Sequence, residues 1–506
     1  VANRGGIGQA IAPDLANERG KMLLICDLAI SLICHLSPFA SCTPLLHIIH
    51  TSHTEDTALA TRVILVRHGI STYNTLRRIQ GHFDESTLTD EGREAARLTG
   101  LALRGLPFAA IYASPLQRAR ETAEILTAQL ENPPALQLRD DLKEINMVEW
   151  EGLPFDEVKE RFPESYRHWQ HEPEKLKMRR FTPDGEQEFF PVVDLYRQAA
   201  QFWRDTLPQH NGDTILLVAH SGINRALIGT AVGLGPADYH ALNQANCGIS
   251  VLNFADGFGS PVQLESVNLV DHLGKPLPDV RGNHRGPRML LVRHGETDWN
   301  REKRFQGQID VPLNENGRVQ GEKAAFFLKD IPIDRAITSP MLRPKETAEL
   351  ILQFHPGVVL ETDDRLKEIS HGLWEGKLEE EIQEVYAEEL AAWKVAPETV
   401  QMPAGENLQQ VWERAIAAWN EIVASASGEE RPITILVVAH DAVNKAILSG
   451  LMGWGPEKFW VFKQGNGAVT VIDYPQGPAG RPMLQSLNIT THLGSGVLDK
   501  TAAGAL

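Results

Sequence analysis

Three short stretches of the chain carry side chains able to hold and attack an anion. Arg67-His68-Gly69 follows the apolar run VILV, Ser114 and Arg118 follow AAIYA, and His220 follows ILLVA. In open α/β sheets ligands sit beyond the carboxyl ends of the strands, so these residues converge if the apolar runs are neighbouring strands. One site would then gather Arg67, His68, Arg118 and His220. A phosphate suits it: two guanidiniums bind its oxygens bidentately, and each imidazole supplies a donor or, when neutral, an attacking nitrogen. The same set recurs later in the chain as Arg293, His294, Arg343 and His440.

The recurrence extends to whole segments. VILVRHGISTYNTLRRIQG at Val63–Gly81 returns as MLLVRHGETDWNREKRFQG at Met289–Gly307, which aligns Asn74 with Asn300 and Gln80 with Gln306. YASPLQRARETAEIL matches TSPMLRPKETAELIL, and DDLKEINMVEWEG matches DRLKEISHGLWEG, aligning Glu144 with Glu368. ILLVAHSGINRALI then matches ILVVAHDAVNKAIL. The repeating unit is far longer than the roughly 20–50 residues of a solenoid repeat, so it is a domain. The expected boundaries are 61–273 and 288–495, with a Gly-, Pro- and Arg-containing linker at 274–287 and a tail at 496–506. Continuous apolar runs such as VILV and ILLVA are expected of strands buried on both faces. LTDEGREAARLTGLAL and RARETAEILTAQL carry helical apolar spacing. Together these elements predict an α/β fold: two tandem α/β/α domains, each a mostly parallel sheet covered by helices on both faces.

With 506 residues, 42% hydrophobic and 23% charged, the chain has the composition of a folded multidomain protein. Its 49 Lys and Arg against 66 Asp and Glu give a net charge of −17, the wrong sign for a nucleic-acid binder. Any basic anion site is therefore local. Three of the four cysteines, Cys26, Cys34 and Cys42, lie near the start, so neither a disulfide framework nor a thiolate zinc site is expected, and a reducing, cytoplasmic setting follows. The apolar stretch Met22–Ala40 is interrupted by Asp27, His35 and Pro38 and lacks the flanks of a secretory signal, so no stable membrane association is expected. Residues 1–60 read as a poorly ordered leader or a start-site artefact.

These residues resemble the histidine phosphatase superfamily, in its phosphoglycerate-mutase-like branch. The family signature R-H-G-x-[ST]-x-x-N stands here as RHGISTYN and RHGETDWN, and five separated elements follow in family order in both copies. The resemblance implies that His68 attacks phosphorus in line to form a phosphohistidine. It implies that Arg67, Arg118, His220 and Asn74 hold the equatorial oxygens, and that Glu144 protonates the leaving alkoxide and later takes a proton from water. The same roles fall to His294, Arg293, Arg343, His440, Asn300 and Glu368. No metal or other cofactor is expected, since the arginines supply the positive charge.

Both segments that follow the glutamates are short, which resembles the phosphatase branch. The reading is therefore a metal-independent phosphoric monoester hydrolase of the histidine acid type, acting on a small sugar phosphate or phospho-acid. The expected partner is that small anion, with self-association left open. One rival is a 2,3-bisphosphoglycerate-dependent mutase. The other is a non-catalytic phosphate-binding module, which would be expected to have lost a nucleophile or arginine in one copy. Within the first cap, Arg161, Arg167, Lys175, Lys177, Arg179 and Arg180 suit a second anionic group or form a solvated face. Gln80 and Gln306 either line the phosphate or hold loop backbone, Glu144 and Glu368 sit in the site or on the surface, and Trp150, Trp203, Trp374 and Trp419 read as core. Two departures stand out: Val148 where the second copy has Gly372, expected to reshape the first pocket, and Asp441 beside the second phosphate site.

Overall fold

The computed structural model describes residues 61–502 apart from 184, 281, 283, 428–430 and 495. The leader, its apolar stretch and three of the cysteines thus lie outside the described residues. Cys247 is a buried free thiol. No helix among the described residues is long and apolar enough to cross a membrane.

In the first repeat β1 (Thr61–Arg67) is followed by α1 (Asp90–Ala102), β2 (Ala110–Ala113), α2 (Gln117–Thr127) and β3 (Leu136–Leu138). A hairpin, β4 (Met178–Thr182) and β5 (Gly185–Phe189), precedes α3 (Pro191–Thr206), β6 (Thr214–Ala219), α4 (Ser221–Val232), β7 (Ile249–Phe254) and β8 (Val262–Leu269). The second repeat runs β9 (Arg288–Arg293), α5 (Glu315–Leu328), β10 (Arg335–Thr338), α6 (Leu342–Leu352), β11 (Leu360–Thr362), α7 (Leu408–Ala424), β12 (Thr434–Ala439), α8 (Asp441–Leu451), β13 (Val469–Asp473) and β14 (Met483–Ile489).

The apolar runs are central strands because helices cover both of their faces. Val63 and Leu65 pack with Ile215, Leu217 and Trp203, while Ile64 and Val66 pack with Leu216, Val218 and Leu126 on the opposite side. A polar residue at any of these four positions would be buried without a partner. Helix α1 starts where Thr89 caps the Gly92 amide, with Asp90 and Glu91 complementing the helix dipole. All four named tryptophans are buried, as expected of core.

Each repeat contributes a parallel block, β3-β2-β6-β1 or β11-β10-β12-β9, extended by two antiparallel strands, β7-β8 or β13-β14. The two half-sheets then join: β8 and β14 pair antiparallel at Val267 and Leu487, giving one sheet of twelve strands. Reciprocal bonds flank that pair. Asn268 Nδ2 donates to the Gln485 carbonyl (2.7 Å) and Asn488 Nδ2 to the Glu265 carbonyl (2.8 Å). Because β8 runs with β1 and β14 with β9, the parallel blocks point in opposite directions. The carboxyl ends of β1 and β9, where the two phosphate sites are expected, therefore lie at opposite ends of the sheet. The start of the expected linker is docked, with Leu277 buried and Arg288 donating to the Pro278 carbonyl.

Candidate active site

Strand register brings the two histidines of each repeat together. Arg67 pairs with Ala219 across parallel strands, so His68 and His220 leave β1 and β6 at the same level, with ring centroids 5.1 Å apart. His294 and His440 repeat the arrangement at 5.2 Å. His68 is bonded through Nδ1 to the Gly69 carbonyl (2.7 Å), as His294 is to Gly295 (2.7 Å). A carbonyl accepts only, so Nδ1 carries the proton and Nε2 keeps its lone pair. Burial, reinforced by Arg118 and Arg67, holds the His68 imidazole well below its ordinary pKa, and burial with Arg343 and Arg293 does the same for His294. Both rings are therefore neutral at pH 7, and the Nε2 of His294 accepts from Arg343 Nε (3.2 Å). His220 and His440 are likewise neutral through burial, and their Nε2 atoms meet Ser114 Oγ (2.8 Å) and Ser339 Oγ (2.9 Å).

The arginines are fixed from behind. Arg118 donates to the Gly81 (2.9 Å) and Phe83 (3.3 Å) carbonyls, and Arg343 to those of Gly307 (2.9 Å) and Ile309 (3.1 Å). Arg67 rests on the Gln244 carbonyl (2.7 Å) and Arg293 on that of Gln464. Bonds to carbonyls orient a guanidinium without neutralising it, which leaves the charge of Arg67, Arg118 and Arg343 for a bound anion. Burial lowers Arg67 to about 10, still protonated at neutral pH.

Glu144 lies in the site. Its carboxylate accepts from the Gly222 and Ile223 amides (3.1 Å each) at the start of α4, where the helix dipole favours negative charge. Glu368 accepts from Ala442 N (3.2 Å) in the same way, and burial, then Asp441, raises its pKa. Arg67, His68, Asn74, Gln80, Arg118 and Glu144 all line one cavity of about 360 Å³ in the first repeat.

The carboxamides act chiefly as braces. Asn74 Oδ1 accepts from Ser71 N, Ser71 Oγ and Asn246 Nδ2, which leaves only its amine for a ligand. Asn300 has the same bonds from Thr297 and Asn466. Gln80 Oε1 accepts from Ser71 Oγ (3.0 Å), whereas Gln306 Oε1 is buried without a partner.

The repeats differ in closure. Arg293, Asn300, Gln306 and Glu368 are all buried, whereas Arg67, Asn74, Gln80 and Glu144 keep partial exposure. Asp441 adds a buried carboxylate 3.4 Å from Arg293 and 2.7 Å from Lys445.

One sequence expectation needs correction. Val148 does not reshape the first pocket; it is 44% exposed and faces solvent. Gly372 is needed in the second repeat because its φ is +55° and a Cβ there would lie 2.1 Å from the Pro403 carbonyl. In the first repeat the β4–β5 hairpin stands in place of that loop, with Arg179 N bonded to Glu149. The cap cations form a solvated face: Arg161 pairs with Glu157, Arg167 and Lys175 with Glu172, Lys177 with Glu188 and Arg179 with Glu186, while Arg180 donates to Gln187. None lines the cavity.

Sequence reasoning missed Ser114 and Ser339 as histidine partners. It also missed His82, which bonds the Glu144 carbonyl, and Asn246 and Asn466, which brace the loops of His68 and His294. The recurrence of QANCG as QGNGA carried the signal for the asparagines.

Residues 63–266 and 289–490 each match the family model described as histidine phosphatase superfamily (branch 1). The 2-carboxy-D-arabinitol-1-phosphatase of Triticum aestivum is 30% identical over 447 residues, covering 86% of this chain and 87% of the relative. Its probable counterpart in Arabidopsis thaliana is 30% identical over 448 residues, covering 86% and 88%. Phosphoserine phosphatase 1 of Hydrogenobacter thermophilus is 34% identical over 207 residues, covering 41% of this chain and 94% of the relative. The two-repeat chain thus belongs to the histidine phosphatase superfamily, and the relatives named above that match both repeats are phosphatases by name.

Proposed function

We propose that the protein is a phosphomonoesterase that works through a phosphohistidine on small sugar phosphates or phospho-acids, 2-carboxy-D-arabinitol 1-phosphate among them, with each repeat, 61–273 and 288–495, forming one catalytic domain. The observation that carries this reading is the neutral His68 ring, its Nδ1 tied to the Gly69 carbonyl and its Nε2 free beside the buried Arg118 and the half-buried Arg67. In the first step Nε2 forms a bond to phosphorus as the ester P–O bond breaks, and Glu144 in its acid form gives the leaving alkoxide a proton. In the second, water attacks phosphorus, Glu144 takes its proton, and the P–N bond breaks to release phosphate. Arg67, Arg118 and His220 stabilise the equatorial oxygens of both transition states. Hydrolysis is favoured over phosphoryl return by the short cap and by the partial exposure of Glu144, which admits water.

The test is phosphate release from 2-carboxy-D-arabinitol 1-phosphate, 3-phosphoglycerate and a set of sugar phosphates without added metal. Wild type releases phosphate, and the double variant His68→Ala, His294→Ala loses the activity by roughly three orders of magnitude or more. Labelled intermediate trapped on wild type is acid-labile and base-stable. Isomerisation without release indicates the mutase; no turnover of any ester indicates the binding module.

A further inference from the structure

The first repeat holds a third arginine that this chemistry leaves unused. Arg225, on α4, is 8% exposed and lines the same cavity as Arg67, His68 and Arg118. Among the described residues no carboxylate or carbonyl pairs with its guanidinium, and its Nε is buried without a partner. It lies over the Tyr239 ring at 5.2 Å. A buried, unpaired cation is costly, and a ligand oxygen in the cavity would satisfy it.

The second repeat carries a different set at every corresponding place. Lys445 stands for Arg225, but the Asp441 carboxylate already neutralises it, and its ammonium lies over Phe459 and Trp460. Ser221, Asp441's counterpart, brings no charge. Phe459 stands for Tyr239 and so lacks the hydroxyl, and Ala442 stands for Gly222. That glycine matters: a Cβ on Gly222 would lie 2.7 Å from Tyr239 Oη and 2.4 Å from Glu144 Oε1. The phenol therefore reaches in beside the glutamate only where residue 222 has no side chain.

The geometry points to Arg225 and the Tyr239 hydroxyl as a second anion subsite of the first repeat, fitted to a carboxylate on the same molecule whose phosphate meets His68. This rests on the phosphatase reading above and adds the substrate class. One planar guanidinium and one hydroxyl offer donors matched to the two oxygens of a carboxylate; a second phosphate would ask for more positive charge. The second repeat lacks the subsite, since Asp441 supplies internally the anion that Arg225 awaits from a ligand.

The experiment compares 3-phosphoglycerate with sn-glycerol 3-phosphate, which carries a neutral hydroxymethyl group in place of the carboxylate, in the full-length His294→Ala background so that the first repeat alone reports. The expected result is a preference for the acid that falls roughly 10- to 100-fold in Arg225→Met and in Ser221→Asp, mainly through KM. Arg225→Lys, which keeps the charge, retains most of the preference. A preference unchanged in Arg225→Met and Ser221→Asp overturns the subsite, as does an equal loss on both esters, which would put Arg225 on the phosphate. If the His294→Ala protein hydrolyses neither ester, the phosphatase reading of the first repeat fails with it.

Discussion

A neutral imidazole is useful as a nucleophile only if the backbone that carries it is held still. Asn246 does this in the first repeat: its Nδ2 donates to the His68 carbonyl (2.9 Å), the Gly69 carbonyl (3.1 Å) and Asn74 Oδ1 (3.2 Å). It touches the loop that carries His68, so under the proposed chemistry it is a positioning residue. Asn246→Ala in the His294→Ala background should lower kcat roughly 10- to 100-fold with KM changed far less, because misplacement by a fraction of an ångström weakens in-line attack more than binding. Steady-state kinetics beside a melting curve checks this; a matching loss of fold would show up as a large fall in Tm. Arg67, His68, Arg118 and His220 were legible because charged or imidazole side chains at the ends of apolar strands have few other uses, and the second copy repeats them. Asn246 was not, since asparagine is ordinary in loops and its partners are backbone oxygens that only folding brings near. Arg225 sat unread inside HSGINRALI because nothing local distinguishes an arginine that lacks a partner from one that has it.

At the scale of elements, the repeats keep their strands and differ in what covers the site. The sequence placed the helices and parallel strands correctly because burial on both sheet faces imposes a local pattern, but it misread the loop after Glu144, whose shape depends on what packs over it. Val148 and Gly372 illustrate the point, occupying one place in the alignment under different physical demands. Gly372→Val must force a β-branched residue to φ +55° and into the Pro403 carbonyl. The expected cost is about 3 kcal/mol or more, from backbone strain and overpacking together. The reciprocal Val148→Gly, at an exposed place without positive φ, should cost only about 0.5–1 kcal/mol. Urea unfolding of the two variants separates the predictions, and equal losses would show that the loop at Pro403 yields.

For the whole molecule, the seam between β8 and β14 makes the two repeats one sheet, and this governs how the chain responds to acid. The apolar clusters on both faces draw residues from both repeats, Val63 with Met289 on one and Ile64 with Leu290 on the other. A cleft that opened at the seam would strip Asn268 and Asn488 of their reciprocal bonds and expose Val267 and Leu487, both buried. Neutral histidines, buried or half-buried, are spread through both repeats. His68, His220, His294 and His440 are held well below 6.5, His272 and His492 are lowered to about 4, and His371 to about 3, burial leading in every case. A histidine with a depressed folded pKa binds fewer protons folded than unfolded, so its contribution is complete above pH 6.5 and is lost as pH falls from there toward the folded value. His272 and His492 each stand to lose on the order of 3 kcal/mol over that span. Glu368 and Asp271, raised by burial, act in the opposite sense by losing stability as pH rises through their own range, but they are outnumbered. The urea midpoint should therefore fall steadily between pH 6.5 and 4.5. Because the seam couples the repeats, tryptophan fluorescence and far-ultraviolet circular dichroism should report one coincident transition. Two separated transitions, with one repeat surviving acid that unfolds the other, would show that the continuous sheet does not bind the repeats into a single cooperative unit.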